Sequence, residues 1–177
     1  MDTQWPRYEV FKQDAAHKPH EAVGSVHAPD AAMALLQARD VFVRRPSAVS
    51  LWVVPATAVF ARTAQEIAAD PAWSGPIMES DAQTYLVFTK TSQRRSMTYV
   101  RYVGDVTAVT PAHALQQAIA SGRFDQGNVF VWWIVPYSAI TRSDPADIDS
   151  LFTPAQDKTY RQQSSYGFVG PTRRSKR

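Results

Sequence analysis

The chain contains the same series of sequence blocks twice, and this repetition limits the fold more than any other feature. Residues 8–11, Tyr-Glu-Val-Phe, return as Tyr-Leu-Val-Phe at 85–88. Val-Gly-Ser-Val at 23–26 returns as Val-Gly-Asp-Val 80 residues later, and Trp-Val-Val-Pro at 52–55 returns as Trp-Ile-Val-Pro 81 residues later. Because the order is kept and the spacing drifts only between blocks, the sequence predicts a tandem duplication of one unit.

Each copy has the pattern of a β-β-α-β unit. The first block alternates apolar and polar residues, as strands do. The second block carries an internal glycine, Gly24 or Gly104, which in a strand often marks a bulge or a close backbone approach. The last block is an almost wholly apolar run that ends in proline, which is typical of a strand covered on both faces.

The helix of each copy has its own start and stop signals. In the first copy Asp30 is a predicted N-cap and Pro46 ends a helix over residues 31–45. In the second copy Thr110 caps the helix, Pro111 takes the first position and Gly122 terminates it.

These patterns predict an α+β fold made of two tandem β-β-α-β units. We expect antiparallel sheets related by a pseudo-two-fold axis, followed by an extended C-terminal arm. The predicted boundaries are residues 1–62 for the first repeat, 63–82 for a linker, 83–141 for the second repeat, and 142–177 for the arm and basic tail. Within the linker, residues 64–69 are predicted to form a short helix and Trp73 to pack against the fold.

The composition limits the cellular setting and the chemistry. The chain has no cysteine, which excludes a thiolate nucleophile, a cysteine-based zinc site and a disulfide framework. No secretory signal is visible, and the longest apolar run, residues 129–135, is far shorter than the ~20 residues of a membrane-spanning helix. We therefore expect a cytoplasmic protein without a membrane partner.

The basic charge is concentrated at the C-terminus. Four of the 19 lysines and arginines lie at residues 173–177, which leaves 15 basic residues against 16 acidic ones in the rest of the chain. Nucleic-acid-binding domains spread basic charge over a folded face, so the sequence predicts no nucleic-acid partner. Weak, salt-sensitive binding of the tail to nucleic acid or an anionic surface stays as an alternative.

The sequence shows no residue pattern for catalysis, cofactor binding or metal binding. His17 and His20 lie in a polar loop without a third ligand, so both are interpreted as solvated histidines. The chain has no Glu-x-x-His pair, no Gly-x-Gly-x-x-Gly loop and no Gly-x-Ser-x-Gly elbow. The sequence accordingly predicts no catalytic, cofactor-binding or metal-binding residues.

Aromatic and arginine side chains are the residues most suited to a protein interface. Trp132 and Trp133 must point to opposite faces of a regular strand, so we expect one in the core and the other against a partner. Arg44 and Arg45 close the first helix, where they either complement the helix dipole or contact a partner.

The first copy closely resembles the PaaB family, the B subunits of the multicomponent ring-1,2-phenylacetyl-CoA epoxidase of phenylacetate degradation. The resemblance rests on four segments: Trp-Pro-Arg-Tyr-Glu-Val-Phe at 5–11, Val-Gly-Ser-Val-His-Ala at 23–28, the helix at 33–45, and Trp-Val-Val at 52–54. It covers residues 5–59 well and residues 150–166 more loosely. The second copy resembles the family only through the first.

The resemblance implies a non-catalytic structural or regulatory subunit that bridges or organises an oxygenase complex. It implies partners of two kinds, a catalytic A-type subunit that holds the di-iron centre and a structural C-type subunit, with no cofactor in this chain. Family members have a single unit, so this chain is expected to be a pseudo-dimer. The predicted partner-binding residues are Trp5, Arg44, Arg45, Trp132, Phe152, Tyr160, Arg161 and Tyr166.

A second interpretation gives the chain a function of its own. Two β-β-α-β units that pack face to face form an α+β barrel, and such a barrel can enclose a pocket for a small aromatic or acyl-CoA ligand.

Overall fold

The structure, a computed structural model, describes residues 4–43, 48–70, 72–75, 81–93, 99–124 and 128–153. The elements before residue 75 are β1 (Arg7–Gln13), β2 (Glu21–His27), α1 (Ala31–Phe42), β3 (Ser50–Pro55), β4 (Phe60–Thr63) and α2 (Ala64–Ala69). Those after it are β5 (Gln83–Lys90), β6 (Arg101–Ala108), α3 (Pro111–Ser121), β7 (Val131–Pro136), β8 (Thr141–Arg142) and α4 (Ile148–Phe152). The predicted β-β-α-β order is present in both halves.

The helix caps are the predicted ones. The Asp30 carboxylate accepts a hydrogen bond from the backbone N–H of Met33 at 2.8 Å, and the Thr110 hydroxyl does the same for His113 at 3.1 Å. Gly122 ends α3 in the left-handed conformation at φ 62°. Helix α1 ends at Phe42, earlier than predicted, and residues 44–47 lie outside the described residues.

The eight strands form one antiparallel sheet in the order β4-β7-β5-β6-β2-β1-β3-β8. The two halves meet where β2 and β6 pair through Glu21 and Arg101. Two backbone hydrogen bonds flank that pair, from the Ala22 N–H to the Val100 carbonyl at 2.7 Å and from the Tyr102 N–H to the His20 carbonyl at 2.9 Å. The antiparallel pairing is as predicted, and the two halves share one continuous sheet because their edge strands hydrogen-bond to each other.

The outermost strands cross between the halves. Strand β4 follows β3 in the chain but pairs with β7, where Ala61 lies opposite Trp133. Strand β8 follows β7 but pairs with β3, where Arg142 lies opposite Trp52. Each half therefore supplies the edge strand of the other.

The glycine of each second strand lies at a bulge, as predicted. The β1–β2 register passes from Val10↔Gly24 to Phe11↔Ala22, which leaves one β2 residue unpaired, and the β5–β6 register does the same beside Gly104. Both glycines have positive φ, 145° and 149°. Aromatic rings from the ends of the helices, Phe42 and Phe124, lie directly against them.

The sheet is covered on both faces. Helices α1 and α3 pack on one face and form two separate hydrophobic clusters with it. The third cluster lines the other face, and within it the rings of Phe11 on β1 and Phe88 on β5 have centroids only 4.4 Å apart. In a flat sheet three strand spacings would keep these residues about 14 Å apart. The sheet is therefore strongly curved, and the inner faces of the two halves meet.

The chain after β7 does not begin as an extended arm. Ser143 bonds to the Leu51 backbone in both directions, and helix α4 follows a short 3-10 turn, Pro145–Asp147. Leu151 and Phe152 of α4 are buried in the cluster beneath α1. The extended-arm prediction is thus wrong for residues 142–152, because apolar side chains at helical spacing anchor them. Residues 154–177 lie outside the described residues.

Candidate functional site

A cleft of about 750 Å³ lies where the two halves of the sheet meet. Residues of both halves line it, and five of them form a contiguous cluster. We call this region the aromatic cleft and define it by His20, Trp52, Tyr102, Tyr137 and Arg142. It combines flat aromatic surfaces with a cation, as ligand-binding sites commonly do.

His20 is stacked on Trp52 at the junction. The ring centroids are 3.5 Å apart at an interplanar angle of 18°, and His20 Nε2 hydrogen-bonds with the Ser50 hydroxyl at 3.0 Å. The side chain is only 6% exposed. The prediction of a solvated loop histidine is therefore wrong for His20, because the β2–β6 pairing holds its backbone inside the junction. His17 is exposed, as predicted.

Arg142 lies between two aromatic side chains. Its guanidinium carbon is 4.8 Å from the centre of the Trp52 ring and 4.1 Å from that of Tyr137. Its Nη1 donates to the Tyr137 hydroxyl at 2.7 Å, while its buried Nε has no hydrogen-bond acceptor within the described residues. Strand β8 sets this position, since its register places Arg142 opposite Trp52.

Burial and charge shift the pKa values of two groups in the cleft, His20 and Tyr102. Burial lowers the pKa of His20 to about 4, and the neighbouring positive charge of Arg142 acts in the same direction. Burial raises the pKa of Tyr102, and the nearby Asp105 carboxylate raises it further. At neutral pH His20 is therefore a neutral imidazole beside the half-buried guanidinium of Arg142.

We expect His20 to make the chain less stable in mild acid. The unfolded state binds a proton near pH 6.5 and the folded state only near pH 4, so stability falls as the pH drops between these values. After an allowance for solvent screening, the loss is about 1–2 kcal/mol. Urea unfolding of wild type and His20→Gln at several pH values measures it, since the variant should lose less stability.

His17→Gln is the matched control for this measurement, because His17 is exposed and lies in the same loop. Its stability profile should follow that of wild type. A His20→Gln profile with the same acid dependence as wild type would show that His20 does not titrate in this way.

Only one of the five cleft residues has the same side chain at the equivalent position of the other half. At the offsets of the repeated blocks, the counterpart of Trp52 is also a tryptophan, but the other four positions hold only alanine or valine. The counterparts of His20, Trp52, Tyr102, Tyr137 and Arg142 are Val100, Trp133, Ala22, Ala56 and Ala61, in that order. The sequence signal that could have identified His20 as buried is the apolar residue at the equivalent position, Val100.

The structure assigns several predicted partner-binding residues to the core. Trp132 and Trp133 point to opposite faces as predicted, but both are buried, at 5% and 7% exposure. In this chain α3 covers Trp132 on its face of the sheet, and the role of Trp132 in partner binding stays a prediction. Phe152 is likewise buried beneath α1.

Trp5 is the predicted residue that the structure leaves available. It is 56% exposed, and its carbonyl accepts a hydrogen bond from His27 Nδ1 at 2.9 Å. Its role in partner binding stays a prediction. The other predicted residues, Arg44, Arg45, Tyr160, Arg161 and Tyr166, lie outside the described residues.

The outer surface of α1 is apolar and exposed. Met33, Leu36 and Val41 are each 40–43% exposed, and we call these three side chains the α1 face. The corresponding positions of α3 are polar: His113, Gln116 and Ser121. The two halves therefore differ on their helical surfaces as well as in the cleft.

Two kinds of feature are absent from the part of the chain that the structure describes. No group of three or more histidine, cysteine, aspartate or glutamate side chains is placed there to hold a metal ion. No helix within the same residues has the length and apolar character needed to cross a membrane.

Comparison with known proteins identifies relatives of one kind. The sequence model of the family "Phenylacetic acid degradation B", PaaB, matches residues 4–74 and 81–173. A curated relative, the B subunit of the 1,2-phenylacetyl-CoA epoxidase of Escherichia coli (strain K12), is 45% identical over 62 residues. These residues are 35% of this chain and 65% of the relative, slightly less than two thirds of its length. No solved structure matches the chain.

Proposed function

Because this chain belongs to the PaaB family, we propose that it is a component of a multicomponent epoxidase like the one that acts on phenylacetyl-CoA. The family match over most of the chain carries this proposal, and the 45% identity with an epoxidase B subunit supports it. In this proposal the chain is cytoplasmic and non-catalytic and holds no cofactor. It bridges a catalytic A-type subunit, which contains the di-iron centre, and a structural C-type subunit.

The internal duplication gives this component the form of a pseudo-dimer. The relative is about 95 residues long, since 62 residues are 65% of it, whereas this chain has 177. Phe11 and Phe88 occupy equivalent places in the repeated blocks and contact each other, as equivalent residues do on a two-fold axis. Tethering raises the effective concentration of the second unit to roughly the millimolar range.

We assign partner binding to the α1 face. Large apolar side chains that lie together and exposed on a surface helix often mark a site where a partner protein binds. Arg39 and Asp40 form an ion pair at 3.0 Å on the same helix, so the face has charged neighbours like those at the rim of many interfaces. The equivalent positions of α3 are polar, which indicates that the fold itself does not need apolar side chains at these three positions. Because the two halves of a pseudo-dimer can diverge, α1 has acquired a binding surface that α3 lacks.

Co-expression with the predicted A-type and C-type subunits tests the proposed assembly. An affinity-tagged chain should retain both subunits in stable, stoichiometric amounts through size-exclusion chromatography. Mass spectrometry of the complex should show one copy of this duplicated chain in the place of two single-unit B subunits. Recovery of the chain alone at low salt would contradict the proposal.

Leu36→Glu should weaken that complex strongly. A buried carboxylate at an apolar interface costs about 2 kcal/mol or more, so we expect the Kd to rise roughly 30-fold. Biolayer interferometry of the immobilised chain measures this change. Gln116→Glu introduces the same charge at the equivalent position of α3 and should leave the Kd within about twofold. Equal losses in both variants would exclude the α1 face as the specific contact.

A further inference from the structure

We propose that the aromatic cleft binds a small planar carboxylic acid, an aromatic or heteroaromatic acid. In this arrangement Arg142 holds the carboxylate, while the Tyr102 ring contacts the ligand ring. The proposal goes beyond the role in an epoxidase complex and does not depend on it, because every residue that it uses belongs to this chain.

The fold does not require the side chains of the cleft. Only alanine and valine replace His20, Tyr102, Tyr137 and Arg142 at the equivalent positions of the other half, while the same sheet pairing is kept. Ala22 and Val100 there simply fill the inner hydrophobic cluster beside Trp133. A histidine, two tyrosines and an arginine gathered on one side only thus have a role other than closing the sheet.

Arg142 has unused capacity to bind an anion. A guanidinium carries five N–H donors, and the contacts within the described residues use one, from Nη1 to the Tyr137 hydroxyl. Its Nε is buried without an acceptor, and Arg142 is in no ion pair within the described residues. Because Nε is itself buried from solvent, we assign the ligand carboxylate to the N–H groups of the two Nη nitrogens, where charge-assisted hydrogen bonds are strong.

The charges of the cleft select an anion over a cation. Aromatic walls alone would also suit a cationic ligand, but the Arg142 guanidinium already covers Trp52 and Tyr137. Lys18 adds a second positive charge to the lining, whereas Asp105 is the single carboxylate there. His20 is neutral at pH 7 and so neither attracts nor repels the ligand.

The size and the walls of the cleft select a flat molecule of one or two rings. Its volume of about 750 Å³ lies within the range of small-molecule sites. The Trp52 and Tyr102 rings meet edge to face, with centroids 5.5 Å apart and an interplanar angle of 70°. Because His20 and Arg142 already stack on Trp52, the Tyr102 ring is the wall that contacts a planar ligand ring.

Isothermal titration calorimetry of the full-length chain tests the proposal, with benzoate and 2-naphthoate as probes. We expect saturable binding of both acids at pH 7, and no saturable binding of acetate or 2-naphthamide, which lack the ring and the charge respectively. Chemical-shift changes should centre on the indole N–H of Trp52. The proposal is overturned if neither acid shows saturable heat up to about 10 mM, or if 2-naphthamide binds as tightly as 2-naphthoate.

Three variants separate a ligand site from a structural clamp. Arg142→Gln should weaken 2-naphthoate binding at least roughly tenfold, and Asp105→Asn should strengthen it about two- to fivefold, since it removes a negative charge from the lining. Arg62→Gln is the matched control, because Arg62 also stacks on an aromatic ring, that of Phe60 at 4.7 Å, but lies outside the cleft lining.

Each variant's thermal midpoint is measured beside its affinity. If Arg142→Gln does not fold, the sign of the Asp105→Asn effect still decides the question. Unchanged affinity in Asp105→Asn, or a folded Arg142→Gln that binds like wild type, contradicts the proposal. Loss of binding in Arg62→Gln equal to that in Arg142→Gln does so as well.

Discussion

Replacing Phe88 with alanine should lower the free energy of unfolding by about 3–5 kcal/mol, the usual cost of removing a fully buried phenylalanine. Phe88 has no exposed surface, and its ring contacts Phe11 across the inner face of the curved sheet. It also meets Tyr102 edge to face at 5.7 Å. The loss is large because the cavity opens where both halves meet, and neither half can close it alone.

Urea unfolding followed by circular dichroism measures this loss. Ile119→Ala on the exposed surface of α3 serves as a control and should cost less than about 1 kcal/mol. The double variant with Phe11→Ala should show a coupling of about 0.5–1.5 kcal/mol. Strict additivity of the two losses would show that the Phe11–Phe88 contact does not link the halves.

Gly104→Ala should also destabilise the chain, by about 2–5 kcal/mol. Gly104 has φ 149°, a conformation that residues with a Cβ rarely adopt. A Cβ there would lie 2.6 Å from Cε1 of Phe124, whose ring is buried. The expected cost adds roughly 1–2 kcal/mol of backbone strain to about 1–3 kcal/mol for displacing a packed ring.

Gly122→Ala separates the two contributions. Gly122 also has positive φ, 62°, but no neighbouring atom lies within 4 Å of a Cβ at that position. This variant should therefore show only the backbone cost, roughly 1–2 kcal/mol. Thermal or urea unfolding of both variants gives the comparison. A Gly104→Ala loss no larger than that of Gly122→Ala would mean that the Phe124 ring moves aside without cost.

Local signals were enough to predict most helices and long strands. Asp30 and Thr110 satisfy N–H groups of their own first helical turns, and Gly122 tolerates the conformation that ends α3, so each signal acts within a few residues. The bulges beside Gly24 and Gly104 were predictable for the same reason. The repeated order of blocks extended these local predictions from one half to the other.

Interactions between distant segments were not predictable from such patterns. Strand β8 has two residues and β4 four, too few for an alternating pattern, and each pairs with a strand of the opposite half. His20 and Arg142 belong to polar segments more than 100 residues apart, and only the pairing of β2, β1, β3 and β8 in one sheet brings both to Trp52. Trp132 was assigned to an interface because its strand pattern does not show that α3 covers it.

The crossed pairing of β4 and β8 has a consequence for how such a gene can change. Deleting either half would also remove the edge strand that the retained half needs, leaving its outer ladder groups unpaired. A single-unit gene therefore yields a complete sheet mainly when two copies of its product exchange the same strands. Once the two halves of such a fusion have diverged, deleting either half leaves the other without its edge strand, so both halves are retained.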